Sequence, residues 1–477
     1  MSRIPFGQWL PDVSPFVKQT DLDTATNVIP EIDGYSCARG IMPITAALGS
    51  ACLNGVWYAD YLGAAQTFVG TASKLYKRAT PTTWSDFSKV GGYTSSDWQF
   101  ARWGNKVVAC NGYNATQATD MTSGTVFADL TNAPIAGTVG TVGDFLVFGN
   151  TLESAVAYPN RVRWSGFNNA ETYGSSLATQ ADYQDLIGNG GDVQRIVPGP
   201  VGVVFQERSI WVMEYSGPPT VFRFSEIERA RGTPAKNSVC WLGEAIFFYA
   251  HDGFHVFALG AGVKPIGRGK VDRWFLANAD TTRLDEMHGA VDRERGLVFW
   301  SFASRSAGTT ADRMLVYSIT ADKWTVVELN TECIFEVYGP GYNLDTLDTI
   351  LADIDTASIN VESRAFLEGS LMLGVVGSDH KLGTMEDDPL TATVQTGESG
   401  GDRKRLVRRI RGLVTGGTSR AKVGYRDELG ENVNWSLWKT ENARGVIPVR
   451  SCARYHTYRL EIADGFDRIH GMEVDAA

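Results

Sequence analysis

Apolar residues along this chain recur with the short, alternating spacing of β-strands, and the three- and four-residue spacing of amphipathic helices is almost absent. Runs rich in Val, Phe, Trp and Tyr and bounded by Gly, Asn, Asp or Pro predict strands along most of the chain. Examples are Val221 to Ile227, Leu297 to Phe302 and Met314 to Ser318; the weak helical candidates are Leu22 to Val28 and Thr281 to His288. The pattern therefore predicts an all-β protein.

Many of these strands belong to one local unit, in which an apolar strand meets a tight turn and a second strand returns and ends in an aromatic residue. Gly143-Asp144 opens into Phe145 to Phe148 in this way, and Gly243-Glu244 opens into Ala245 to Phe248. The unit recurs at roughly 40 to 50 residues, the period of a four-stranded propeller blade. We therefore predict a β-propeller of about six to eight blades, although a pair of Greek-key sandwiches would contain the same strands.

The charge of the chain changes sign near residues 385 to 402. Residues 1–400 contain 29 Lys and Arg against 44 Asp and Glu, a net charge of −15, whereas residues 401–477 contain 15 against 10, a net charge of +5. The residues around this point are typical of turns or a linker, and the segment after it alternates as strands. We predict an N-terminal arm (1–40), a propeller body (41–384) and a C-terminal β-domain (385–477), with the two terminal segments forming a small β-sandwich-like platform.

Composition excludes several classes of protein. With 43% hydrophobic and 21% charged residues the chain is neither disordered nor a coiled coil, and its 51 glycines suit many tight turns. A net charge of −10 excludes bulk nucleic-acid binding through overall charge.

The six widely spaced cysteines indicate free thiols in a protein made in a reducing cytoplasm. The uncharged stretch from Gly40 to Ala59 contains Pro43 and predicts a loop followed by a buried strand, Ala51 to Tyr61, rather than a membrane helix.

Motifs for catalysis or cofactor binding are missing from the sequence. It contains no GxSxG elbow, no Walker loop and no HExxH pair. His251 and His255 flank Asp252-Gly253, which predicts a hairpin turn with the two histidines on opposite arms rather than a metal site. We therefore predict no catalytic residue, no cofactor and no metal.

The most distinctive local feature is the basic run from Arg403 to Arg411. If this run is a regular strand, four of its arginines share one face with Val407; they are Arg403, Arg405, Arg409 and Arg411. Such a row suits the acidic groups of a neighbouring subunit, the phosphates of DNA, or a solvated edge strand protected by charge. The acidic body favours the protein partner.

Three stretches resemble a known family. They are Trp9 to Asp12 with Thr24 to Pro30 and Asp33 to Tyr35; Tyr158 to Ser165; and Val449 to His456 with Gly471 to Asp475. Together they resemble the tail nozzle or hub proteins of short-tailed bacteriophages, also called tail tubular protein B or packaged-DNA stabilisation proteins. The stretches span nearly the whole chain, although each motif is short.

The resemblance implies a structural, non-enzymatic protein of the virion tail that is synthesised in the host cytoplasm. Such proteins assemble as a ring, commonly a homohexamer, below the portal and adaptor, and they line the channel through which the genome leaves. The implied partners are further copies of the chain, the adaptor or head-to-tail connector ring, tail fibre or spike proteins, and double-stranded DNA in transient contact, with no membrane. An acidic wall would let DNA pass without tight phosphate binding.

The interface candidates that follow from this resemblance are Trp9 in the arm and Arg403, Arg405, Arg409 and Arg411 in the C-terminal domain. Alternation alone does not identify the residues that line the DNA channel.

An alternative function is a propeller-type tail protein that binds or depolymerises host surface polysaccharide. Aromatic side chains could stack on sugars, and propeller carboxylates could hydrolyse them; the aromatic candidates are Trp98, Trp103, Trp211 and Tyr215. Aromatic residues that fill the space between blades are the simpler interpretation of the same pattern.

Overall fold

A computed structural model describes residues 2–18, 20–339 and 371–476, and its regular structure is almost entirely β. The first forty or so residues contribute five short strands to a large curled sheet that also contains the C-terminal strands. These strands are β1 (Ser2–Pro5), β2 (Leu22–Thr26), β3 (Val28–Glu31), β4 (Gly34–Cys37) and β5 (Met42–Pro43).

Five separate four-stranded sheets follow in the described part of the chain, and in each one every strand pairs antiparallel with the next, as in a propeller blade. The first two blades are β6 (Cys52–Ala59), β7 (Ala65–Thr71), β8 (Leu75–Arg78) and β9 (Trp84–Asp86), then β10 (Gln99–Trp103), β11 (Lys106–Cys110), β12 (Gln117–Asp120) and β13 (Ala128–Asp129). The third and fourth are β14 (Ile135–Val142), β15 (Phe145–Glu153), β16 (Val156–Trp164) and β17 (Asp182–Asp185), then β18 (Val193–Val197), β19 (Gly202–Gln206), β20 (Ile210–Gly217) and β21 (Val221–Glu228). The fifth is β22 (Cys240–Leu242), β23 (Ala245–Ala250), β24 (Gly253–Ala258) and β25 (Gly262–Pro265).

A further antiparallel meander takes the next place after the fifth blade, but it is hydrogen-bonded into the curled sheet. It consists of β26 (His288–Asp292), β27 (Leu297–Phe302), β28 (Ala311–Ser318) and the long strand β29 (Lys323–Tyr338). The first half of β29 completes the meander, and its second half pairs with the first strand of the C-terminal part.

The second half of β29 also closes the ring against the first blade. Gly55 on β6 has no Cβ, and an added one would lie 2.4 Å from the Phe335 ring of β29. The Sγ atoms of Cys52 and Cys333 are 3.1 Å apart at the same contact. The β-propeller is thus confirmed, but the described residues contain five separate blades and not six to eight, because the sixth meander is continuous with another sheet.

The C-terminal strands complete the curled sheet together with the N-terminal ones. Its remaining strands are β30 (Leu371–Gly377), β31 (Leu382–Thr384), β32 (Ala392–Thr396), β33 (Ser399–Thr415), β34 (Thr418–Arg426), β35 (Asn434–Trp435), β36 (Lys439–Thr440), β37 (Ile447–Ala463) and β38 (Arg468–Ala476). The two chain ends meet where β1 pairs with β38. The terminal platform is therefore one curled sheet, whereas the sequence suggested a sandwich. The domain boundaries at 40 and 384 stay a prediction.

Helices are few and short in the described residues. α1 (Asp272–Asn278) follows the fifth blade, and 3₁₀ turns occupy Lys236–Ser238 and Thr281–Glu286. The Asp12 carboxylate of the N-terminal arm accepts hydrogen bonds from the backbone N–H groups of Arg273 and Trp274 at 2.9 and 2.7 Å. The arm thereby supplies the acceptors that the first turn of α1 lacks. No helix in the described ranges is long and apolar enough to cross a membrane.

Candidate functional site

The first strands of the blades surround a cavity of about 560 Å³. β6, β10, β14, β18 and β22 line it together with β26 and the second half of β29. A cavity with walls from every member of the ring is the central channel of the propeller. Its volume falls within the range of small-molecule pockets, about 300 to 1,000 Å³.

A polar network beside this channel joins the second blade to the segment that enters the fifth, and its member Asn237 lines the channel. The Lys236 Nζ atom lies 2.7 Å from Asp97 Oδ2, and the Asn237 amide donates to Asp97 Oδ1 at 2.9 Å. Gln99 Nε2 donates to both Asp97 Oδ2 and Asn237 Oδ1, at 3.0 and 2.6 Å. These contacts therefore join two parts of the propeller that are not neighbouring blades.

The protonation states of this network follow from its contacts. Burial raises the pKa of Asp97, but the Lys236 charge and the hydrogen bonds from Lys236, Asn237 and Gln99 outweigh it, so that the net pKa is lowered. Burial lowers the pKa of Lys236, and the Asp97 charge reverses that effect to a net increase. The pair is therefore ionised near neutral pH. His288 on β26 has a pKa lowered to about 4 by burial and is neutral there.

The predicted basic run lies on β33, as expected for a strand, but its alternation is interrupted. The pairing of β33 with β37 and β38 shifts register between Val407 and Arg409. As a result Val407 and Ile410 are both buried, whereas Arg408 and Arg409 between them are exposed. A β-bulge has this effect because it adds one residue to one strand of a pair. The four predicted arginines are therefore not one uninterrupted row, contrary to the regular-strand interpretation.

A wider basic face replaces that row. Arg405 and Leu406 pair with Ala453 and Cys452 on β37, and that neighbouring strand carries two further exposed arginines. The exposed arginines of the two strands are Arg403, Arg405, Arg408, Arg409, Arg411, Arg450 and Arg454. We refer to these seven residues as the basic face, a name for the exposed arginines of two paired strands and not for one side of the sheet. Arg405 is paired with Ala453, and alternation places Ala453 on the opposite side of β37 from Arg450 and Arg454.

The members of the basic face differ in their contacts. The Arg409 guanidinium donates two hydrogen bonds to Asp475 Oδ2, at 3.0 and 2.7 Å. No described residue forms an ion pair with Arg403, Arg405 or Arg411. These charges face solvent and are free to meet an acidic partner.

Trp9 was an interface candidate, but it is buried within its own chain. Its side chain is 2% exposed, its Nε1 donates to the Asp23 carbonyl oxygen at 3.1 Å, and its ring lies 5.0 Å from the Trp274 ring of α1. Trp9 anchors the arm within its own chain, and its side chain is not accessible to a partner in this structure.

The aromatic candidates for sugar stacking mostly pack between and within the blades. Trp98 is fully buried, with its Nε1 donating to Thr71 O at 2.8 Å and its ring close to Gly70. Trp211 donates to Gln206 Oε1, and Tyr215, which is 48% exposed, stacks on Phe145. Trp103 is half-buried against the packing between the second and third blades.

The two histidines of the predicted hairpin are arranged as the sequence indicates. His251 lies in the turn between β23 and β24, and His255 lies on β24, where its Nδ1 is 3.0 Å from the Gly253 carbonyl oxygen. Among the described residues, no group of three or more His, Cys, Asp or Glu side chains is placed to hold a metal.

Comparison with known proteins gives fold-level likeness only. No family model matches the chain, and no curated protein does. The similar solved structures include a computationally designed protein, Ika8, with 11% identity and a TM-score of 0.40 over 80% of this chain and 100% of that one. The WD40 repeats of RRP9 match with 9% identity and a TM-score of 0.40, over 63% and 88% of the two chains. The C-terminal WD40 domain of Sif2 matches with 10% identity and a TM-score of 0.37, over 70% and 92%. At such scores these proteins carry no argument about function.

Proposed function

We propose that this chain is a structural subunit of a short-tailed phage tail, which assembles into a nozzle ring below the portal and adaptor and conducts DNA. The observation that carries the proposal is the basic face. It presents several arginines that have no ion-pair partner among the described residues, on the terminal sheet of a chain whose residues 1–400 have a net charge of −15. A chain with one basic face and an acidic body has complementary surfaces for its own copies and for an acidic adaptor. Head-to-tail contacts of this kind generate rings when the rotation closes.

The terminal sheet suits a docking platform for a second reason. The two ends of the chain meet in it, through β1 and β38, and Asp12 of the arm holds α1 beside the propeller. A partner that binds this sheet is therefore connected through paired strands to the meander β26 to β29, which packs against the first blade. The sequence resemblance described above supplies the identity of the proposed assembly.

Charge reversal on the basic face tests the proposal. Arg405→Glu with Arg411→Glu changes two arginines that have no described ion-pair partner, so the isolated subunit should keep its stability. We expect this variant to be missing from purified virions and to fail to form rings with the adaptor. Arg208→Glu with Arg223→Glu serves as the matched control, because both arginines are exposed on the propeller body and have no ion-pair partner among the described residues.

Two measurements decide the outcome. Mass photometry of the purified chain mixed with its adaptor reports ring formation, and cryo-electron microscopy of virions reports the position of the protein. Normal infectious particles with the double variant, or a protein absent from wild-type particles, would reject the proposal. A monomer in the absence of the adaptor agrees with it, since such a ring can require its adaptor to form.

A further inference from the structure

Arg195 on β18 lines the central channel and lacks a partner there. Its Nε atom is inaccessible to solvent and has no hydrogen-bond acceptor. Within the described ranges, no side chain or carbonyl group accepts a hydrogen bond from its guanidinium group, and no carboxylate forms an ion pair with it. A cation that is surrounded by protein without such contacts is unusual, because buried charges are normally paired.

The charge of Arg195 reaches residues on most sides of the channel. It lowers the pKa values of Tyr58 in the first blade and of Cys240 in the fifth, against the larger opposite effect of burial. It also helps burial to lower the pKa of His288 on β26. All three residues line the same cavity as Arg195.

The other positively charged side chains near Arg195 either have an ion-pair partner or are exposed to solvent. Lys236 is paired with Asp97 at 2.7 Å, and Arg293 is paired with Glu336 at the same distance. Arg102 is exposed, donates to the Gly104 carbonyl oxygen at 2.9 Å and has no carboxylate partner among the described residues. Arg195 and Arg102 therefore leave the channel with uncompensated positive charge.

Burial lowers the pKa of Arg195 itself, which means that the protein interior disfavours its charge. Retaining a strained ionisable group inside a cavity is typical of binding and catalytic sites, where stability is sacrificed for function. An anion that entered the channel would provide the missing partner.

The channel wall also contains five aromatic residues. Its aromatic lining residues are Trp57, Tyr58, Phe100, Trp241 and Phe335. A cavity with an apolar wall and a few polar groups that converge on one point is the usual form of a small-molecule site. The wall selects an apolar body, and the guanidinium group selects an oxyanion.

We propose that the propeller channel binds a small molecule that carries a carboxylate or phosphate group on an aromatic or apolar body. The Arg195 guanidinium donates to the oxyanion through its planar fork, and the aromatic wall packs on the body. This site is independent of the proposed assembly, because the basic face lies on β33 and β37, which do not line the channel.

Binding of phenyl phosphate and of benzoate, measured by isothermal titration calorimetry on the full chain, tests the proposal, with phenol as the uncharged control. Charge-assisted hydrogen bonds contribute about 1.5 to 3 kcal/mol, so Arg195→Met should weaken binding roughly ten- to a hundredfold. Arg229→Met, on the outer surface, should leave it unchanged. The fluorescence of Trp57 and Trp241 should change on binding to the wild type, because both line the channel.

The variant also has an expected effect on folding. Arg195→Met removes an unpaired charge, so its melting temperature should equal or exceed that of the wild type. If it does not fold, Arg195→Lys keeps the charge without the fork and should show weaker binding in a folded protein. Equal affinity of the wild type and a folded Arg195 variant would overturn the proposal. So would the absence of binding to the wild type up to roughly 10 mM, where any affinity would be below about 3 kcal/mol. Displacement of phenyl phosphate by a duplex oligonucleotide would show that the channel responds to nucleic-acid phosphate and not to a small molecule.

Discussion

Lys236→Met should strongly destabilise the propeller, because it leaves the Asp97 carboxylate without its cation. Asp97 is 7% exposed, and only 26% of the side chain of its partner Lys236 is accessible to solvent. Removing one member of a buried ion pair costs about 3 to 5 kcal/mol. Because Lys236 is partly accessible and Asp97 retains hydrogen bonds from Gln99 and Asn237, we expect the lower end of this range, about 3 kcal/mol.

The double variant separates the pair from its surroundings. Asp97→Asn alone leaves a buried lysine and should also destabilise, whereas Asp97→Asn combined with Lys236→Met removes both charges. The double variant should therefore lose less than the sum of the single losses, by about 2 kcal/mol. Urea unfolding followed by tryptophan fluorescence and by circular dichroism gives these free energies, provided that both signals report one transition.

The pH dependence follows from the directions of the two pKa values. The pKa of Asp97 is lowered on folding, so its contribution is present above the unfolded value of about 4 and is lost as pH falls through the folded value. The pKa of Lys236 is raised, so its contribution is present below about 10 and is lost at higher pH. The effect of Lys236→Met should thus be constant between these limits. A loss below about 0.5 kcal/mol at neutral pH, or exact additivity of the two single variants, would refute the assignment of a buried, coupled pair.

Two further variants examine the ring itself. Gly55→Ala places a Cβ 2.4 Å from Phe335, where the ring closes. Such overpacking should lower the free energy of unfolding in urea by about 1 to 3 kcal/mol. Gly174→Ala is the neutral control, because its added Cβ meets no atom within 4 Å. The pKa of His288 is lowered to about 4 in the folded protein. Below about pH 6.5 this histidine is therefore protonated in the unfolded chain but still neutral in the folded one, and the free energy of unfolding falls between about pH 6.5 and pH 4. His288→Gln should remove up to about 3 kcal/mol of that acid-dependent loss, and a pH scan with the same slope as the wild type would contradict it.

Much of the strand pattern is readable from the sequence where alternation and turns agree. The predicted run Leu297 to Phe302 coincides with β27, and the predicted hairpin around Asp252-Gly253 joins β23 to β24. Prediction from sequence fails where a contact between residues far apart in the chain determines the local structure. α1 has only seven residues, and its first turn is capped by Asp12 from a segment 261 residues away. The blade count fails because β29 runs on into another sheet without any turn signal.

The central channel was beyond sequence analysis for a related reason. Asp97 and Asn237 are 140 positions apart, so no local spacing connects them. The one available signal was Arg195 beside Gln194 in the middle of the strand Val193–Val197, whose other residues are apolar. The run of arginines on β33 was conspicuous, but its bulge depends on pairing with β37 and β38, which the sequence of β33 alone does not contain.

Net charge is a poor guide to either proposed site, because a charged side chain that forms an ion pair within the chain attracts a ligand or partner less strongly. Residues 1–400 have a net charge of −15, yet the channel is lined by Arg195 and Arg102, which have no ion-pair partner among the described residues. Conversely, Arg409 belongs to the basic face but is neutralised by Asp475, so Arg405 and Arg411 present the stronger free charge. The two proposals can therefore fail separately: Arg405→Glu with Arg411→Glu should abolish ring formation and leave phenyl phosphate binding intact, whereas Arg195→Met should do the reverse. A variant of either kind that lost both properties would indicate loss of the common fold.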